Sequence, residues 1–361
     1  MALDRITLTD FRNHATSSLV GTGRFNLLVG ENGAGKTNVL EAISLLAPGR
    51  GMRRAALPDM VRFGGTGGFA ISADLLTVPD SEAVRLATGT RADRPGRRIV
   101  NINGAEKPAN VLGEWLSLSW LTPAMDGLFM ASAGERRRFL DRLVLAVDPA
   151  HARHAARYEN ALRERNRLLS DERAPDPAWL DGIEKHMAQH GGALIAGRAL
   201  LVERLGNALD GLPDEPFARP ALTLLAERPA QPDDLLTFWK DARSADRAAG
   251  RTRKGPHRDD LAVTMASKAM PAAACSTGEQ KAMLIAITLA HAGLSASERP
   301  QVLLLDEVAA HLDPVRREAL FARLSDSGAQ VWITGTESAP FEAISADSAR
   351  WRVTGGSVVR L

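Results

Sequence analysis

A glycine-rich octapeptide near the start of the chain has the residue types and the spacing of a phosphate-binding loop. It fits the pattern G-x-x-x-x-G-K-[ST] at every fixed position and reads Gly30-Glu31-Asn32-Gly33-Ala34-Gly35-Lys36-Thr37. Glycines allow backbone N–H groups to turn inward around phosphate oxygens, and the N-terminus of a following helix favours the same anion. In such a loop the lysine, Lys36, reaches the β- and γ-phosphates, and the hydroxyl of Thr37 coordinates Mg²⁺. The loop therefore predicts ATP and Mg²⁺ as cofactors.

Two adjacent carboxylates, Asp306 and Glu307, follow an apolar run at residues 302–305. A continuous apolar run is typical of a parallel strand covered on both faces, and ligands bind at the carboxyl ends of such strands. We expect Asp306 to lie beside Lys36 and Thr37 and to hold Mg²⁺, directly or through water. Glu307 is then the candidate general base that polarises the attacking water. The alternative is an ordinary strand that ends in a solvated acidic turn.

A third motif, upstream of the carboxylates, reads Ser276-Thr277-Gly278-Glu279-Gln280-Lys281. Taken alone it is a good helix N-cap, because a serine followed three residues later by a glutamate is a common capping pattern. Combined with the loop and the carboxylates, it resembles the signature set of the ABC ATPases, in which the signature of one subunit contacts the γ-phosphate held by the other. Asp313, in Ala309-Ala310-His311-Leu312-Asp313, resembles the D-loop of that class. The resemblance implies a homodimer with ATP between its subunits, and nucleotide contacts from Ser276, Gly278, Glu279, Gln280 and Asp313.

The elements around these motifs predict an α/β fold. An apolar run at 25–29 precedes the loop, and helical periodicity at 38–46 follows it. Short strands bounded by turn residues, at 69–75, 84–88 and 97–102, predict an antiparallel sheet beside the nucleotide site. Residues 134–212 have mostly helical periodicity without sustained heptads, so we expect a compact helical domain and no long coiled coil.

These expectations combine into an ABC-type P-loop ATPase head with an antiparallel β subdomain and an inserted compact α-helical domain. The predicted head comprises residues 1–115 and 250–361, and the mainly helical insertion comprises residues 116–249. A chain of 361 residues is long for one compact domain, so two or three packed units are expected.

The composition excludes several classes of protein. Hydrophobic residues make up 45% and charged residues 24%, which is ordinary for a globular protein. The single cysteine, Cys275, excludes an internal disulfide and a cysteine-rich metal site. We see no run of about 18 apolar residues and no apolar signal-peptide core, so we expect a cytoplasmic protein without a membrane partner. Because the formal net charge is only +2, any contact with nucleic acid must come from local clusters of basic residues.

Three further stretches narrow the class. They read Thr9-Asp10-Phe11-Arg12-Asn13, Arg136-Arg137-Arg138-Phe139-Leu140-Asp141 and Lys254-Gly255-Pro256-His257-Arg258-Asp259-Asp260-Leu261. With the loop and the signature, and over essentially the whole chain, this set resembles the RecF family of bacterial ATPases, which is related to the SMC heads. The resemblance implies ATP-dependent dimerisation, binding to single-strand gaps and single-strand–double-strand junctions of DNA, and nucleotide contacts from Arg12 and Asn13. It also implies RecR and RecO as partners, and loading of RecA for DNA repair, replication restart and the SOS response to DNA damage.

Two departures from the ABC class predict slow hydrolysis. The stretch Leu121-Thr122-Pro123-Ala124-Met125-Asp126, where a Q-loop glutamine is sought, contains no glutamine, and Thr334-Gly335-Thr336 contains no switch histidine. We therefore expect a weak ATPase, in which ATP binding switches on dimerisation and hydrolysis releases DNA. Two alternatives stay open. One is a nucleotide-gated DNA clamp whose hydrolysis is incidental, and the other is an ATPase subunit that energises a membrane transporter.

Clusters of basic residues are the candidate DNA contacts. They comprise Arg53, Arg54, Arg136, Arg137, Arg138 and Arg258, with Arg251, Arg253 and Lys254 close to the last in sequence. Each cluster could meet phosphates, or it could belong to a solvated helix face or an internal ion pair. Few aromatic residues lie among them, so contact with the DNA backbone is expected and base stacking is not. His257 could bind a metal, but a structural or dimer-interface role fits better because no second histidine or cysteine is nearby.

Overall fold

A computed structural model describes residues 2–77, 82–213, 215–229, 231–294, 299–309, 312–337, 341, 344 and 348–361. By packing, the chain forms two compact units. Unit 1 comprises Met1–Asp126, Glu215–Phe217 and Leu284–Leu361, and unit 2 comprises Gly127–Asp214 and Ala218–Met283. The borders of these units differ from the predicted ones at 115/116 and 249/250. Residues 116–126 pack with unit 1 because they contain a strand of its parallel sheet, and residues 250–283 pack with unit 2.

Unit 1 contains an antiparallel sheet, as predicted. Its strands are β1 (Leu3–Phe11), β2 (His14–Val20), β4 (Ala70–Leu75), β5 (Val84–Arg91), β6 (Arg94–Ile102) and β7 (Ala105–Glu106). They are ordered β2-β1-β4-β5-β6-β7, and every neighbouring pair is antiparallel. Along β1, Leu3, Ile6 and Leu8 are buried, because one face of the sheet packs on the core and the other faces outward.

A second sheet in unit 1 holds the phosphate-binding loop and the acidic strand. Its strands are β3 (Phe25–Val29), β8 (Ser117–Leu121), β12 (Gln301–Leu305), β13 (Gln330–Gly335), β14 (Ala349–Thr354) and β15 (Ser357–Arg360). The order is β15-β14-β3-β13-β12-β8, and every pair is parallel except β14 with β15. Every residue of β3, β8, β12 and β13 is buried, as expected of parallel strands that are covered on both faces.

Among the described residues, three α-helices lie wholly within unit 1. They are α1 (Lys36–Ser44), α2 (Leu112–Trp115) and α8 (Pro314–Asp326). Val39, Leu40 and Ile43 of α1 belong to one core cluster that contains residues of both sheets. The loop at the start of α1 is thus held by a helix with one apolar face buried.

Unit 2 is mainly helical. Its helices are α3 (Ala133–Val147), α4 (Ala150–Ser170), α5 (Pro177–Asp210) and α6 (Pro232–Ala248), and α7 (Thr277–Leu294) begins in this unit and ends in unit 1. A small antiparallel sheet, ordered β11-β10-β9, accompanies them and consists of β9 (Pro220–Leu225), β10 (Asp260–Met265) and β11 (Met270–Pro271). Among the described residues, no helix combines the length and apolar character that a membrane span requires.

A fully buried arginine ties the helices of unit 2 together. The guanidinium of Arg165, on α4, donates to Glu184 at 2.9 Å, to Asp246 at 2.7 Å and to the hydroxyl of Thr252 at 2.7 Å. These partners lie on α5, on α6 and in the segment after α6, and all four side chains are buried. A buried charge is tolerated only when it is paired and hydrogen-bonded in this way.

We expect the substitution Arg165→Met to lower the free energy of unfolding by about 3 kcal/mol or more, because it leaves Glu184 and Asp246 without this buried cation. Urea unfolding followed by circular dichroism measures the change. The matched control is Arg163→Met on the exposed side of the same helix, which should cost less than about 1 kcal/mol. Equal stabilities of the two variants would contradict this role of Arg165.

Candidate nucleotide-binding site

The phosphate-binding loop connects β3 directly to α1, in the strand–loop–helix context that its pattern requires. Gly35 has φ +113°, and a Cβ placed there would lie 2.7 Å from the side-chain oxygen of Asn13. Both the backbone angle and the lack of space demand glycine at this position. Glu31, Asn32 and Gly33 are exposed, so the outer half of the loop is open to a ligand.

Lys36 lies under the loop. Its ammonium donates to the carbonyl oxygens of Gly30 at 2.7 Å and of Glu31 at 2.9 Å, and only 4% of the residue is exposed. Burial lowers the pKa of Lys36, and the negative charges of Glu307 and Asp306 oppose that shift. The cation is therefore placed in an environment of low polarity, where its attraction for an anion is screened least.

The acidic strand end meets the loop as predicted. The hydroxyl of Thr37 donates to Oδ1 of Asp306 at 3.0 Å, although the two residues are far apart in sequence. The hydroxyl of Thr334, at the end of β13, donates to the same oxygen at 2.8 Å. Burial raises the pKa of Asp306, and the bonds from Thr334 and Thr37 act against that shift.

This group of oxygens fits Mg²⁺. Carboxylate and hydroxyl oxygens are the hard ligands that this ion prefers, and it is commonly held by one or two protein groups together with substrate phosphates. Among the described residues, no group of three or more histidine, cysteine, aspartate or glutamate side chains could hold a metal ion by itself. Asp306 and Thr37 therefore provide a partial ligand set of the kind that phosphate oxygens complete.

Glu307 has an unusual backbone conformation. Its φ is +54°, in the left-handed region, and its N–H donates to the hydroxyl of Thr334 at 2.9 Å. A glutamate in this region costs on the order of 1 kcal/mol, and such residues cluster at functional sites. The side chain is half-buried and lies close enough to Lys36 to influence the pKa of that lysine. The left-handed backbone and the N–H bond to Thr334 thus fix the main chain of Glu307 beside Asp306.

The residues around Asn13 brace the loop. The amide of Asn13 donates to the carbonyl of Ala34 at 3.0 Å and accepts from Asn38 at 2.8 Å. Arg12, in contrast, forms a two-pronged ion pair with Glu41 at 2.6 and 2.9 Å. The structure thus brings Asn13 to the loop and commits the guanidinium of Arg12 to helix α1.

Sequence patterns did not identify His14, which lies behind the loop. It is fully buried, with Nε2 3.2 Å from the carbonyl oxygen of Gly35 and Nδ1 2.9 Å from the hydroxyl of Ser17. Burial lowers its pKa, so the neutral imidazole is favoured. Thr334 was also missed as a site residue. Neither belongs to a local motif, and only the proximity of His14 to Asn13 in the sequence could have indicated it.

A cavity of about 820 Å³ opens beside the loop. Its lining comprises Val29, Gly30, Glu31, Asn32, Gly33, Ala34, Thr336, Glu337, Arg352, Val353, Thr354, Gly355 and Leu361. This volume is within the range of sites for ligands of several hundred daltons. Five of the eight loop residues, Gly30 to Ala34, therefore face this space, whereas Lys36, Thr37 and Asp306 are not part of its lining.

The signature residues form the first turn of α7. The hydroxyl and the N–H of Ser276 donate to the carboxylate of Glu279 at 2.9 Å, and the N–H of Glu279 donates back to that hydroxyl at 3.4 Å. An ion pair with Lys268 and then the bonds from Ser276 lower the pKa of Glu279 to about 2. Gln280 is buried and donates to the carbonyl of Cys275 at 2.9 Å. This is the capping arrangement expected of the motif, with Ser276 and Gly278 exposed at the surface of unit 2.

Asp313, the D-loop candidate, caps helix α8. Its carboxylate accepts from the N–H of Arg316 at 2.9 Å, and the residue is exposed. Ala310 and His311 of the same stretch lie outside the described residues. The exposed carboxylate leaves Asp313 accessible to a second molecule.

The basic clusters differ in how their charges are used. Arg136 donates through Nε and one Nη to the two carboxylate oxygens of Asp260, at 2.8 and 2.6 Å, and Arg138 forms an ion pair with Glu135. Arg137 is half-buried and donates to the carbonyl of Asp259 at 2.7 Å, which leaves its positive charge without a carboxylate at that contact. Arg258 is exposed in the same unit. An internal ion pair, the alternative considered above, thus accounts for Arg136 and Arg138.

The two remaining arginines of the set lie in unit 1. Arg53 donates to Asn38 at 2.8 Å and to Glu41 at 3.4 Å, and Arg54 is exposed with φ +57°.

His257 is engaged at both ring nitrogens, 2.8 Å from the hydroxyl of Tyr158 and 3.2 Å from the carbonyl of Thr252. Burial lowers the pKa of His257 to about 4. Because both ring nitrogens of His257 are engaged, the contacts with Tyr158 and Thr252 support a structural role over that of a metal ligand.

Known proteins resemble this chain over nearly its whole length. A family model described as RecF/RecN/SMC N terminal domain matches residues 2–353. A protein of Brucella suis biovar 1 (strain 1330), named DNA replication and repair protein RecF, is 46% identical over 373 residues, covering 99% of this chain and 96% of its own. A protein of the same name from Mesorhizobium japonicum is 47% identical over 370 residues, covering 99% and 97%.

Solved structures share the fold. A structure described as the recombination mediator protein RecF-ATP in RecFOR pathway has a TM-score of 0.84 and 23% identity, and the match covers 100% of this chain and 97% of that one. An Smc head domain from Pyrococcus furiosus has a TM-score of 0.56 and 16% identity, covering 100% and 96%. At these identities the likeness concerns the fold alone. It confirms the predicted ABC-type ATPase head with an antiparallel β subdomain.

Proposed function

Because this chain belongs to the RecF family, we propose that it is an ATP-dependent DNA-binding recombination mediator that acts in DNA repair and replication. The relatives that share nearly half of its residues are named DNA replication and repair proteins, and a structural neighbour was solved with ATP. The observation within the chain that carries the proposal is the contact of Thr37 with Asp306, which joins the phosphate-binding loop and the acidic strand into one nucleotide site.

In the proposed mechanism of ATP hydrolysis, different residues bind the phosphates, hold the metal ion and activate the attacking water. Lys36 binds the β- and γ-phosphates, while Asp306 and Thr37 would hold Mg²⁺, which offsets phosphate charge when bound. The carboxylate of Glu307 orients and deprotonates the attacking water. Thr334 positions Asp306 and Glu307, because its hydroxyl donates to the Asp306 side chain and accepts from the Glu307 backbone N–H.

Two copies of the chain complete the site. The exposed signature, with Ser276 and Gly278 at the start of an 18-residue helix, offers backbone donors and a helix dipole to the γ-phosphate on a second copy. A Cβ on Gly278 would have no neighbour within 4 Å, so this turn is open to an approaching molecule. Glu279 and Gln280 hold the turn in shape, and the exposed Asp313 would contact the partner.

Hydrolysis is slow in this proposal and serves as a switch. The stretch Thr334-Gly335-Thr336, where the class carries a switch histidine, contains none, and the hydroxyl of Thr334 is committed to Asp306. The ATP state would hold DNA at gaps and single-strand–double-strand junctions, and hydrolysis would release it. With RecR and RecO, in the cytoplasm, the protein would help to load RecA after DNA damage and in the SOS response. A transporter subunit is not favoured, since the relatives are named for DNA replication and repair.

Titration of labelled DNA tests the proposal. We expect the wild-type protein with ATP to bind gapped duplex at least about tenfold more tightly than without ATP, because only the dimer joins two sets of phosphate contacts. Fluorescence anisotropy with gapped, single-stranded and fully paired DNA measures the effect. A DNA affinity that is the same with and without ATP would contradict the proposal.

A further inference from the structure

Unit 2 contains a cleft of about 730 Å³ that the nucleotide site does not use. We call it the basic cleft. Its lining consists of residues from three stretches of the chain, 133–137, 225–227 and 249–260. Residues separated by more than 100 positions in the sequence thus form one concave surface within a single unit.

The segment that supplies most of the cations is fixed to the core of unit 2 by its other atoms. The N–H and the hydroxyl of Thr252 donate to Asn166 at 2.7 and 2.8 Å, and the N–H of Arg253 donates to Asp246 at 3.0 Å. The carbonyl of Lys254 accepts from the indole of Trp239 at 3.0 Å. The backbone is held by these bonds, while the side chains of Arg253 and Lys254 remain exposed.

In residues 255–259 the backbone is likewise anchored, and one cationic side chain is again exposed. Gly255 has φ +143°, and a Cβ there would lie 3.0 Å from the Tyr158 hydroxyl, so the chain passes closely over the helices. The carbonyl of Pro256 accepts from the buried Arg198 at 2.6 Å, and Asp259 bonds both Arg198 and Arg228. Arg258, between these anchored residues, is exposed. The backbone of residues 254–260 is therefore held against the helices of unit 2, while the side chains of Lys254 and Arg258 are exposed.

The charges that line the basic cleft do not cancel. Five permanent cations contribute: Arg137, Arg251, Arg253, Lys254 and Arg258. Two carboxylates face them, and one of these, Asp260, is already paired through both oxygens with Arg136. The remaining carboxylate, Glu227, leaves an excess of positive charge. The first turn of the 15-residue helix α3 adds the positive end of its dipole, because Ala133 and Gly134 form part of the wall.

The lining favours phosphate over other anionic ligands. Leu225 is the one large apolar side chain among the described lining residues, so the cleft lacks the apolar anchors that a peptide segment uses. Among the lining residues that the structure describes there is no phenylalanine, tyrosine or tryptophan, so contact with the backbone is expected rather than base stacking. Arginines with planar donor groups suit successive phosphates of a nucleic-acid backbone.

We propose that the basic cleft of unit 2 is a binding site for the sugar–phosphate backbone of DNA, with Lys254 and Arg258 among its principal contacts. This inference rests on the proposed function and gives it a location. Contact would be independent of base sequence, and it would be weakened steeply by salt.

The test compares two double variants of the full chain. Lys254→Gln with Arg258→Gln removes two cations from the cleft, and Lys185→Gln with Arg204→Gln removes two exposed cations from helix α5 of the same unit. With ATP and gapped DNA we expect the cleft variant to bind about 30-fold more weakly, and its slope of log K against log salt to fall by about 2. The control variant should stay within about threefold of the wild type. ATP affinity should be unchanged in both variants, which reports that they are folded.

Three outcomes separate the possibilities. A cleft variant that binds DNA as the control does would overturn the assignment of the cleft, while ATP-dependent DNA binding of the wild type would still support the proposed function. A wild-type protein without ATP-dependent DNA binding would contradict the proposed function itself. If the cleft variant kept its DNA affinity but lost affinity for a labelled poly-glutamate peptide, the cleft would accept an acidic protein segment, and the DNA assignment would be wrong.

Discussion

Replacing Lys36 with alanine should weaken ATP binding by about 100-fold or more and abolish the dimerisation and DNA binding that depend on ATP. The ammonium is buried under the loop, where it donates to two carbonyl oxygens and where Asp306 and Glu307 favour its charged form. A charge-assisted hydrogen bond contributes about 1.5–3 kcal/mol, so the loss of two such bonds to phosphate amounts to about 3 kcal/mol, or two orders of magnitude in affinity. Isothermal titration calorimetry with ATP measures the change.

Lys185→Ala is the matched control for this variant. Lys185 is exposed on helix α5, so its loss removes one lysine without touching the loop. Its ATP affinity should equal that of the wild type, and both variants should keep the wild-type circular dichroism spectrum. An ATP affinity of Lys36→Ala within threefold of the control would show that the loop does not bind the triphosphate.

Replacing Glu307 with glutamine should reduce the hydrolysis rate by about 100-fold or more while leaving ATP binding intact. Loss of a general base commonly costs 10² to 10⁴ in rate. Glutamine has the same shape and can adopt the same left-handed backbone, so the N–H bond to Thr334 persists. Because hydrolysis is the proposed release step, the ATP-bound dimer of this variant should retain DNA longer than the wild type does. Phosphate release and the dissociation rate of labelled gapped DNA are the measurements.

The control for this second prediction is Glu318→Gln, which neutralises an exposed carboxylate on helix α8. It should hydrolyse ATP and release DNA at wild-type rates. A decrease of less than threefold for Glu307→Gln would remove Glu307 from the chemistry. Unchanged DNA release together with lost hydrolysis would favour the alternative in which hydrolysis is incidental to the clamp.

The centre of the candidate site could be predicted because each of its motifs is a short contiguous stretch of the chain. The phosphate-binding loop is a single octapeptide, and its flanking strand and helix have clear patterns of apolar residues. The contact between Thr37 and Asp306 followed from the rule that the carboxyl ends of parallel strands meet at one edge of a sheet. The capping pattern of Ser276 and Glu279 is equally local and predicted the start of helix α7.

Residues that act through distant partners were not predictable. His14 and Thr334 contact the site through a backbone carbonyl and a carboxylate contributed by other elements, and no spacing in the sequence marks such contacts. Strand β8 belongs to the parallel sheet because it pairs with β12, which lies in the last third of the chain. The pattern of apolar residues can identify a strand, but it does not show which strands pair over that distance.

The basic clusters show the same limit for charge. Three consecutive arginines look alike in sequence, yet Arg136 is neutralised by Asp260, Arg138 is paired with Glu135, and Arg137 lines the basic cleft. Only the geometry separates the arginines that stabilise the fold from those available to a ligand. The run Lys254 to Asp260 was prominent in the sequence, but only the structure shows that bonds from Trp239 and Arg198 hold its backbone in place.

Sedimentation velocity tests most directly whether ATP joins two copies of the chain through the loop of one and the signature of the other. We expect the wild-type protein to be a monomer without nucleotide and a dimer with saturating ATP and Mg²⁺. Ser276→Arg, which places a bulky side chain at the exposed signature turn, should bind ATP normally and remain a monomer. A wild-type protein that stays monomeric at saturating ATP, or a Ser276→Arg variant that dimerises as the wild type does, would contradict the composite site.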